Sequence, residues 1–211
     1  MSDSPLPETA LRWTVVVPVK GTADGKSRMA PALSAEQRMR LVEAFALDAV
    51  SALIASPRVA RVIVVTDAQA AVAVPLRALG ADIIVDPDAG LNAAVTAGIA
   101  AASADDPAPR AVAALLGDLP CLTTTDVDAA LEAAAAHPLA VVPDAEGTGT
   151  TLITALPGVP LVPRFGAGSA ARHAAAGHAL LELPSISTLR LDVDTAADLA
   201  RARARGLGPA T

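Results

Sequence analysis

Three aspartates in two short stretches are the side chains of this sequence best suited to chemistry. Asp118 lies in Leu115-Leu116-Gly117-Asp118-Leu119-Pro120, at the end of an apolar run that starts at Ala111. Open α/β sheets bind ligands beyond the carboxyl ends of their strands, and Mg²⁺ is held by one or two carboxylates together with substrate oxygens. A lone carboxylate there suits a metal on a phosphate, or equally the cap of the turn into the next helix. Gly117 lets the backbone come close, and Pro120 withholds an N–H and so ends the ladder. Asp192 and Asp194 stand in Leu189-Arg190-Leu191-Asp192-Val193-Asp194-Thr195. Read as a strand, this segment sends both carboxylates to one face and Val193 into the core. Like charges placed together repel unless a cation or protons intervene. One cap would suffice for the helix opened by Thr195-x-x-Asp198, so a divalent metal is the preferred reading.

Cations and glycines accompany the acids. Lys20, Lys26 and Arg28 fall in a glycine-hinged loop straight after the β-branched run Thr14–Val19. The loop nearly spells a P-loop, but it is one residue short of the required glycine, and Pro31 blocks the following helix. Three such cations suit a polyphosphate, although taken alone the loop reads as a solvated surface segment. Gly147-Thr148-Gly149-Thr150 has the composition of an anion cradle and also of an ordinary hairpin turn. Arg164-Phe165-Gly166-Ala167-Gly168-Ser169 leads to a helix N-terminus with Ser169 as its cap, a second place for a phosphate or carboxylate. Asn92 reads first as a helix N-cap, and its amide could also read a nucleobase edge. His173 reads as a surface or packing residue. No Ser-His-Asp set, cysteine nucleophile or zinc spacing competes. Metal, phosphate and no evident general base point to an attacking group that is already ionised: a phosphate monoester displacing pyrophosphate from a nucleoside triphosphate.

The elements that must position these groups alternate. Strands at Thr14–Val19, Arg61–Thr66, Asp82–Val85, Ala111–Leu116 and Leu139–Pro143 are separated by helical stretches, and the Gly147–Thr150 loop leads from the last of these to a strand at Thr151–Ala155. Ser34-x-x-Gln37 opens a helix to about Ser56, with Met39, Val42, Phe45, Ala49 and Leu53 on its core face. Gly80 closes a second helix, and Thr125-x-x-Asp128 begins a later one. Strand–helix–strand rhythm implies parallel pairing with right-handed crossovers. The 211 residues suit one α/β domain, with residues 1–11 as a disordered N-terminus and 12–211 as the domain. Hydrophobic residues make up 53% and aromatics 1%, so Ala, Val, Leu and Ile build the core, and a ring platform for a base is not expected. A net charge of −6 excludes a nucleic-acid backbone as partner. One cysteine, no export signal and no membrane-length apolar run suggest a cytoplasmic chain without membrane association.

The ordered set Val19-Lys20…Lys26-Ser27-Arg28, Leu91-Asn92, Gly117-Asp118-Leu119-Pro120, Gly147-Thr148-Gly149-Thr150, Arg164-Phe165-Gly166…Ser169…Arg172-His173 and Asp192-Val193-Asp194-Thr195 resembles the guanylyltransferases of coenzyme F420 biosynthesis. The resemblance runs from about Thr14 to the C-terminal helix. It implies a single three-layer α/β/α nucleotidyltransferase domain, GT-A-like, with a Rossmann-like, mostly parallel sheet. It implies that a small phosphorylated acid is joined to GMP from GTP. Asp118, Asp192 and Asp194 would hold two Mg²⁺ ions, and Thr150, Gly166 and Ser169 would bind the acceptor. Lys20, Lys26 and Asn92 would contact the nucleotide, with Lys26 and Arg28 acting on the triphosphate. Phosphoenolpyruvate ranks first as acceptor, because an Ala- and Arg-rich, Lys-poor chain suits the high-GC aerobic bacteria whose members favour it. The alternatives are 2-phospho-L-lactate and 3-phospho-D-glycerate. A homodimer and a downstream F420-pathway transferase are partners of the kind the family allows. Another metal-dependent nucleotidyltransferase, a GT-A glycosyltransferase or a non-catalytic nucleotide-binding module are the rival readings.

Overall fold

The computed structural model describes residues 11–20, 29, 33–104 and 110–211. The loop cations Lys26 and Arg28 lie outside these residues, as does the N-terminal segment to residue 10. Seven strands form one sheet: β1 (Trp13–Pro18), β2 (Val59–Thr66), β3 (Asp82–Val85), β4 (Ala111–Leu115), β5 (Leu139–Pro143), β6 (Thr150–Ala155) and β7 (Ala179–Leu180). Their spatial order is β3-β2-β1-β4-β6-β5-β7. All described ladders are parallel except those of β6, which runs antiparallel to both neighbours.

That order fixes where a ligand can sit. The chain builds outward from β1 through β2 to β3, then returns to lay β4 on the other side of β1. The switch point therefore falls between the ends of β1 and β4, where open sheets form their crevice. Because β6 is reversed, its first residue, Thr150, lies at the same sheet edge as the ends of β4 and β5. Thr150 is paired with Pro143, and Leu152 with Leu115. The six-residue loop between β5 and β6 is too short for a parallel crossover and so turns the chain back; what the sequence rhythm leaves open is that β6 then inserts between β4 and β5.

Helices α1 (Ala35–Ile54), α2 (Ala73–Leu79), α3 (Leu91–Ala104), α4 (Thr124–Ala134), α5 (Ser169–Ala175) and α6 (Ala196–Arg205) complete the domain. Alternation along β1 sends Val15 and Val17 against α1, α2 and α4, and Val16 against α3. Both faces are thus covered, which is why the strands read as continuous apolar runs. The first helix begins on the expected capping box, Ser34 with Gln37. The fourth begins two residues earlier than expected, with Thr123 accepting from the Asp126 N–H. No described helix is long and apolar enough to cross a membrane.

Small residues set the distance between layers. A Cβ on Gly98 of α3 would stand 2.2 Å from Val16 Cγ1 and 3.0 Å from Val65 Cγ2. Gly98→Ala is therefore expected to destabilise the fold. Overpacking of about 1–3 kcal/mol outweighs the ~1 kcal/mol that alanine adds to a helix. Thermal unfolding should shift down by about 2–6 °C, and an unchanged or raised Tm would contradict the close packing of α3 on β1.

A smaller third core joins α1 to α6. Met29, Phe45, Cys121, Val193, Leu199 and Ala202 are all buried there. Trp13, by contrast, is wholly enclosed in the main core at the start of β1.

Candidate active site

Leu116 extends β4 by donating its N–H to Thr151 O at 2.9 Å, after which the chain turns at Gly117. A Cβ on Gly117 would press on Val19 and Val17 side chains and on Pro18 O at 3.2–3.3 Å, so only glycine brings β4 this close to the end of β1. Asp118 follows immediately. The Leu189–Thr195 segment, expected to be a strand, is instead a 3₁₀ turn over Thr188–Arg190 followed by irregular extended chain. Its register is set by other means. Val193 is fully buried in the third core, and its N–H donates to Asp118 O at 3.2 Å. Asp192 and Asp194, on either side of that anchor, meet Asp118 all the same: one oxygen from each carboxylate lies within 4.8 Å of the others. Asp198 caps α6 through the Thr195 and Asp194 N–H groups, so capping leaves both acids to the cluster.

The electrostatics of the cluster fit a cation. Burial, then the carboxylates of Asp118, Asp194 and Asp144, push Asp192 up to about 7. Three half-buried carboxylates with hard oxygen donors and mutual repulsion are the donor set that a divalent ion such as Mg²⁺ or Mn²⁺ relieves.

Two lobes of one cleft meet at these acids. A cavity of about 260 Å³ lies over the end of β1, lined by Val19, Lys20, Phe45, Asp86, Leu91 and Gly117 among others. A second, of about 590 Å³, is lined by Asp144, Thr148, Thr150, Gly166, Ser169 and Asp192 among others. Leu91, Leu116, Asp118 and Asp194 line both. The first lobe is mainly apolar; the second is walled by hydroxyls, glycines and acids.

The glycine loops differ from the expectation. The main-chain N–H groups of Thr148 and Gly149 donate to the Asp144 carboxylate at 3.0 and 2.8 Å. The Gly147–Thr150 cradle is thus filled by the chain's own anion, and the Thr150 hydroxyl is what it offers the cleft. Ser169 is not a helix cap but the first residue of α5. Gly168, at φ +69, precedes it, and Gly166 turns at φ +118, a region that side-chain-bearing residues avoid. The Arg172 guanidinium clasps this loop by donating to Arg164 O and Ala167 O. Asn92 is not an N-cap either. It lies inside α3, where its amide accepts from Phe165 N–H at 2.8 Å and donates to Phe165 O at 3.2 Å. Its side chain thus holds the loop, and Asp86 is the carboxylate bordering the apolar lobe apart from the acidic cluster.

Several contributors escaped sequence reading. Asp144 fills the Gly/Thr loop, and Arg190 donates to Asp144 O at 3.0 Å, tying that loop to the segment bearing Asp192. His173, expected on the surface or in packing, is fully buried between both glycine loops. Trp13 has no exposed face, and Cys121 is buried with its thiol donating to Ala202 O, pushed up by burial and so inert as a nucleophile.

Comparison with known proteins gives a consistent picture. The family model described as "Guanylyl transferase CofC like" matches residues 13–208. A Sanguibacter keddieii protein named phosphoenolpyruvate guanylyltransferase is 47% identical, over 94% of this chain and 82% of its own. A protein of the same name from Salinispora arenicola is 50% identical, over 94% and 91%. In fold, a nucleotidyl transferase from Methanothermobacter is similar at TM-score 0.61 and 18% identity, over 92% of this chain and 97% of its own. So is a Mycobacterium tuberculosis H37Rv protein in complex with manganese, at TM-score 0.51 and 18% identity, over 92% and 98%. At these identities the two structures bear on the fold alone.

Proposed function

Since this chain belongs to the guanylyltransferase family described as CofC-like, we propose that it condenses GTP with phosphoenolpyruvate, releasing pyrophosphate, in coenzyme F420 biosynthesis. The observation that carries this reading is the pair of unlike lobes sharing Asp118 and Asp194. A nucleotide in the apolar lobe and a phosphorylated acid in the polar one would meet at the acids. The acceptor's phosphate oxygen attacks the α-phosphorus of GTP, and the bond to the β-phosphate breaks. The attacking oxygen is already ionised, so no base need take a proton.

Asp118, Asp192 and Asp194 would hold divalent cations, Mg²⁺ in this proposal. Such ions supply charge neutralisation and Lewis acidity on the phosphate oxygens. The remaining work falls to the chain itself. Thr150, Gly166 and Ser169 orient the phosphorylated acid in the polar lobe. Lys20, at the end of β1 beside the apolar lobe, steadies the triphosphate; Lys26 and Arg28 are assigned the same task by resemblance.

The apolar lobe also suggests how guanine is chosen. Guanine presents N1–H and N2 amine donors side by side, which a carboxylate accepts in pairs, whereas adenine lacks them. Asp86 is suited to that task. Its Oδ1 already accepts from Asp88 N–H at 2.9 Å, which fixes the carboxylate's direction. Asp86→Asn should lower kcat/KM for GTP by about 10- to 100-fold, since bonds to charged groups are worth ~1.5–3 kcal/mol. Its activity on ATP should change little, and that on ITP, which keeps N1–H but lacks the N2 amine, should fall less than that on GTP; an equal loss on all three purines would remove Asp86 from base reading.

The decisive experiment follows products by mass spectrometry from GTP, Mg²⁺ and each phosphorylated three-carbon acid. The expected result is a GMP–enolpyruvate diphosphate with stoichiometric pyrophosphate. Preference for 2-phospho-L-lactate or 3-phospho-D-glycerate would reassign the acceptor. Nucleoside diphosphate release from a sugar donor would reassign the reaction.

A further inference from the structure

His173 sits with no exposed surface between the two loops that wall the polar lobe. Its Nε2 receives the Arg164 main-chain N–H at 2.9 Å, and its Nδ1 lies 3.1 Å from Thr150 Oγ1. A main-chain N–H can only donate, so Nε2 must be a bare acceptor. A neutral imidazole bare at Nε2 carries its proton on Nδ1, facing Thr150 Oγ1 with the Ser169 main chain nearby, and so has no lone pair there to take the threonine's own proton. Among the described residues nothing accepts the threonine's own proton, and Thr150 lines the cleft. The ring is held on every side: edge-on to Phe165 at 5.4 Å, and beside His178, whose Nδ1 lies 3.1 Å from His173 O.

We infer that His173 is a positioning residue that fixes the proton of the Thr150 hydroxyl toward the cleft, making it an obligate donor to an oxyanion of the phosphorylated acid. The inference rests on the acceptor reading above and deepens it. The surroundings keep the imidazole neutral: burial, then the charges of His178, Arg172 and Arg164, lower His173 to about 4. Protonation would set an N–H at Nε2 against the Arg164 N–H, so the neutral tautomer alone satisfies both neighbours. No carboxylate is among the groups that face the ring; the Ser169 main chain alone favours its charged form, and burial with the three neighbouring cationic groups outweighs it. The arrangement also explains a sequence coincidence. One ring on α5 sets both a strand-end threonine 23 positions before it and a loop backbone nine positions before it, so loop spacing and hydroxyl direction cannot vary independently.

Histidine side-chain ¹⁵N NMR on the full, ligand-free chain tests the geometry, with only His137, His173 and His178 to assign. The expected spectrum has His173 protonated on Nδ1 and bare at Nε2, unchanged from about pH 8 to about pH 5.5. A proton on Nε2, or titration across that range, overturns the inference whatever the enzyme's substrate. Kinetics test the role. His173→Gln and Thr150→Val should each raise the KM for the phosphorylated acid by about 10- to 100-fold with the KM for GTP within about twofold. The double variant should add nothing beyond the larger single effect. Additive losses, or KM values for both substrates rising together, would mean that the ring only holds the fold. If the wild-type chain turns over no phosphorylated acid at all, the function proposal fails, while the tautomer result stands or falls by itself.

Discussion

Asp118→Ala is expected to lower kcat by about 10³-fold or more, some 4 kcal/mol of transition-state stabilisation, while leaving the protein folded. The carboxylate borders both lobes, so its loss removes charge neutralisation at the point where the two phosphates would meet. Its main-chain carbonyl, which receives the Val193 N–H, is untouched, and the third core still places the opposing acids. Removing one of three repelling carboxylates should, if anything, raise the stability of the metal-free chain. Pyrophosphate release and thermal melts measured side by side separate the two effects. Turnover within tenfold of wild type would take Asp118 out of the metal site.

Asp192→Asn should couple activity, pH and metal in one variant. In the folded, metal-free chain Asp192 holds its proton up to about 7, well above the ordinary carboxylate value of 3.8. Between those limits the folded state binds a proton that the unfolded chain has released. Stability is therefore greatest below the lower limit and falls as the pH rises through about 7. The asparagine variant should lose that slope and melt higher than wild type above neutrality. Divalent cation should stabilise wild type more at about pH 8 than at about pH 6, because protons and metal compete for the same oxygens. It should do much less for the variant, whose kcat should fall about 10²–10³-fold. A variant with the wild-type metal response would show that the cluster is held together by something other than a cation.

What could be read along the chain, and what could not, divides by the range of the force involved. The strand–helix alternation, the Ser34 capping box and the burial of Val193 follow from side chains acting over a few residues, and each is found. The convergence of Asp118 with Asp192 and Asp194 was inferable from the repulsion the pair would suffer alone, even though the supposed strand is a turn and an irregular stretch held by long-range hydrogen bonds to Asp118 and Asp144. The failures are non-local. Nothing in Gly147-Thr148-Gly149-Thr150 says that Asp144 will fill the cradle. Nothing near Asn92 announces that its partner is Phe165, 73 residues on. The partners of His173 were not legible locally, because both are brought to it by the reversal of β6 and the turn at Gly166. A signal did exist in part: two glycines at positive φ flanking a loop, followed by Arg172-His173, mark a loop that something must hold open.

The enclosed indole at the head of the central strand has a practical corollary. With no tyrosine and a single tryptophan in the sequence, intrinsic emission comes from one fluorophore, fully sheltered and, among the described residues, with its ring nitrogen hydrogen-bonded to nothing. Its spectrum should be blue in the native protein and redden in a single step as the sheet comes apart, giving a clean optical reading of global unfolding. The same seclusion makes it a silent witness to occupancy. Titrations with nucleotide or acid will need an extrinsic label or calorimetry, and a flat fluorescence trace must not be read as failure to bind.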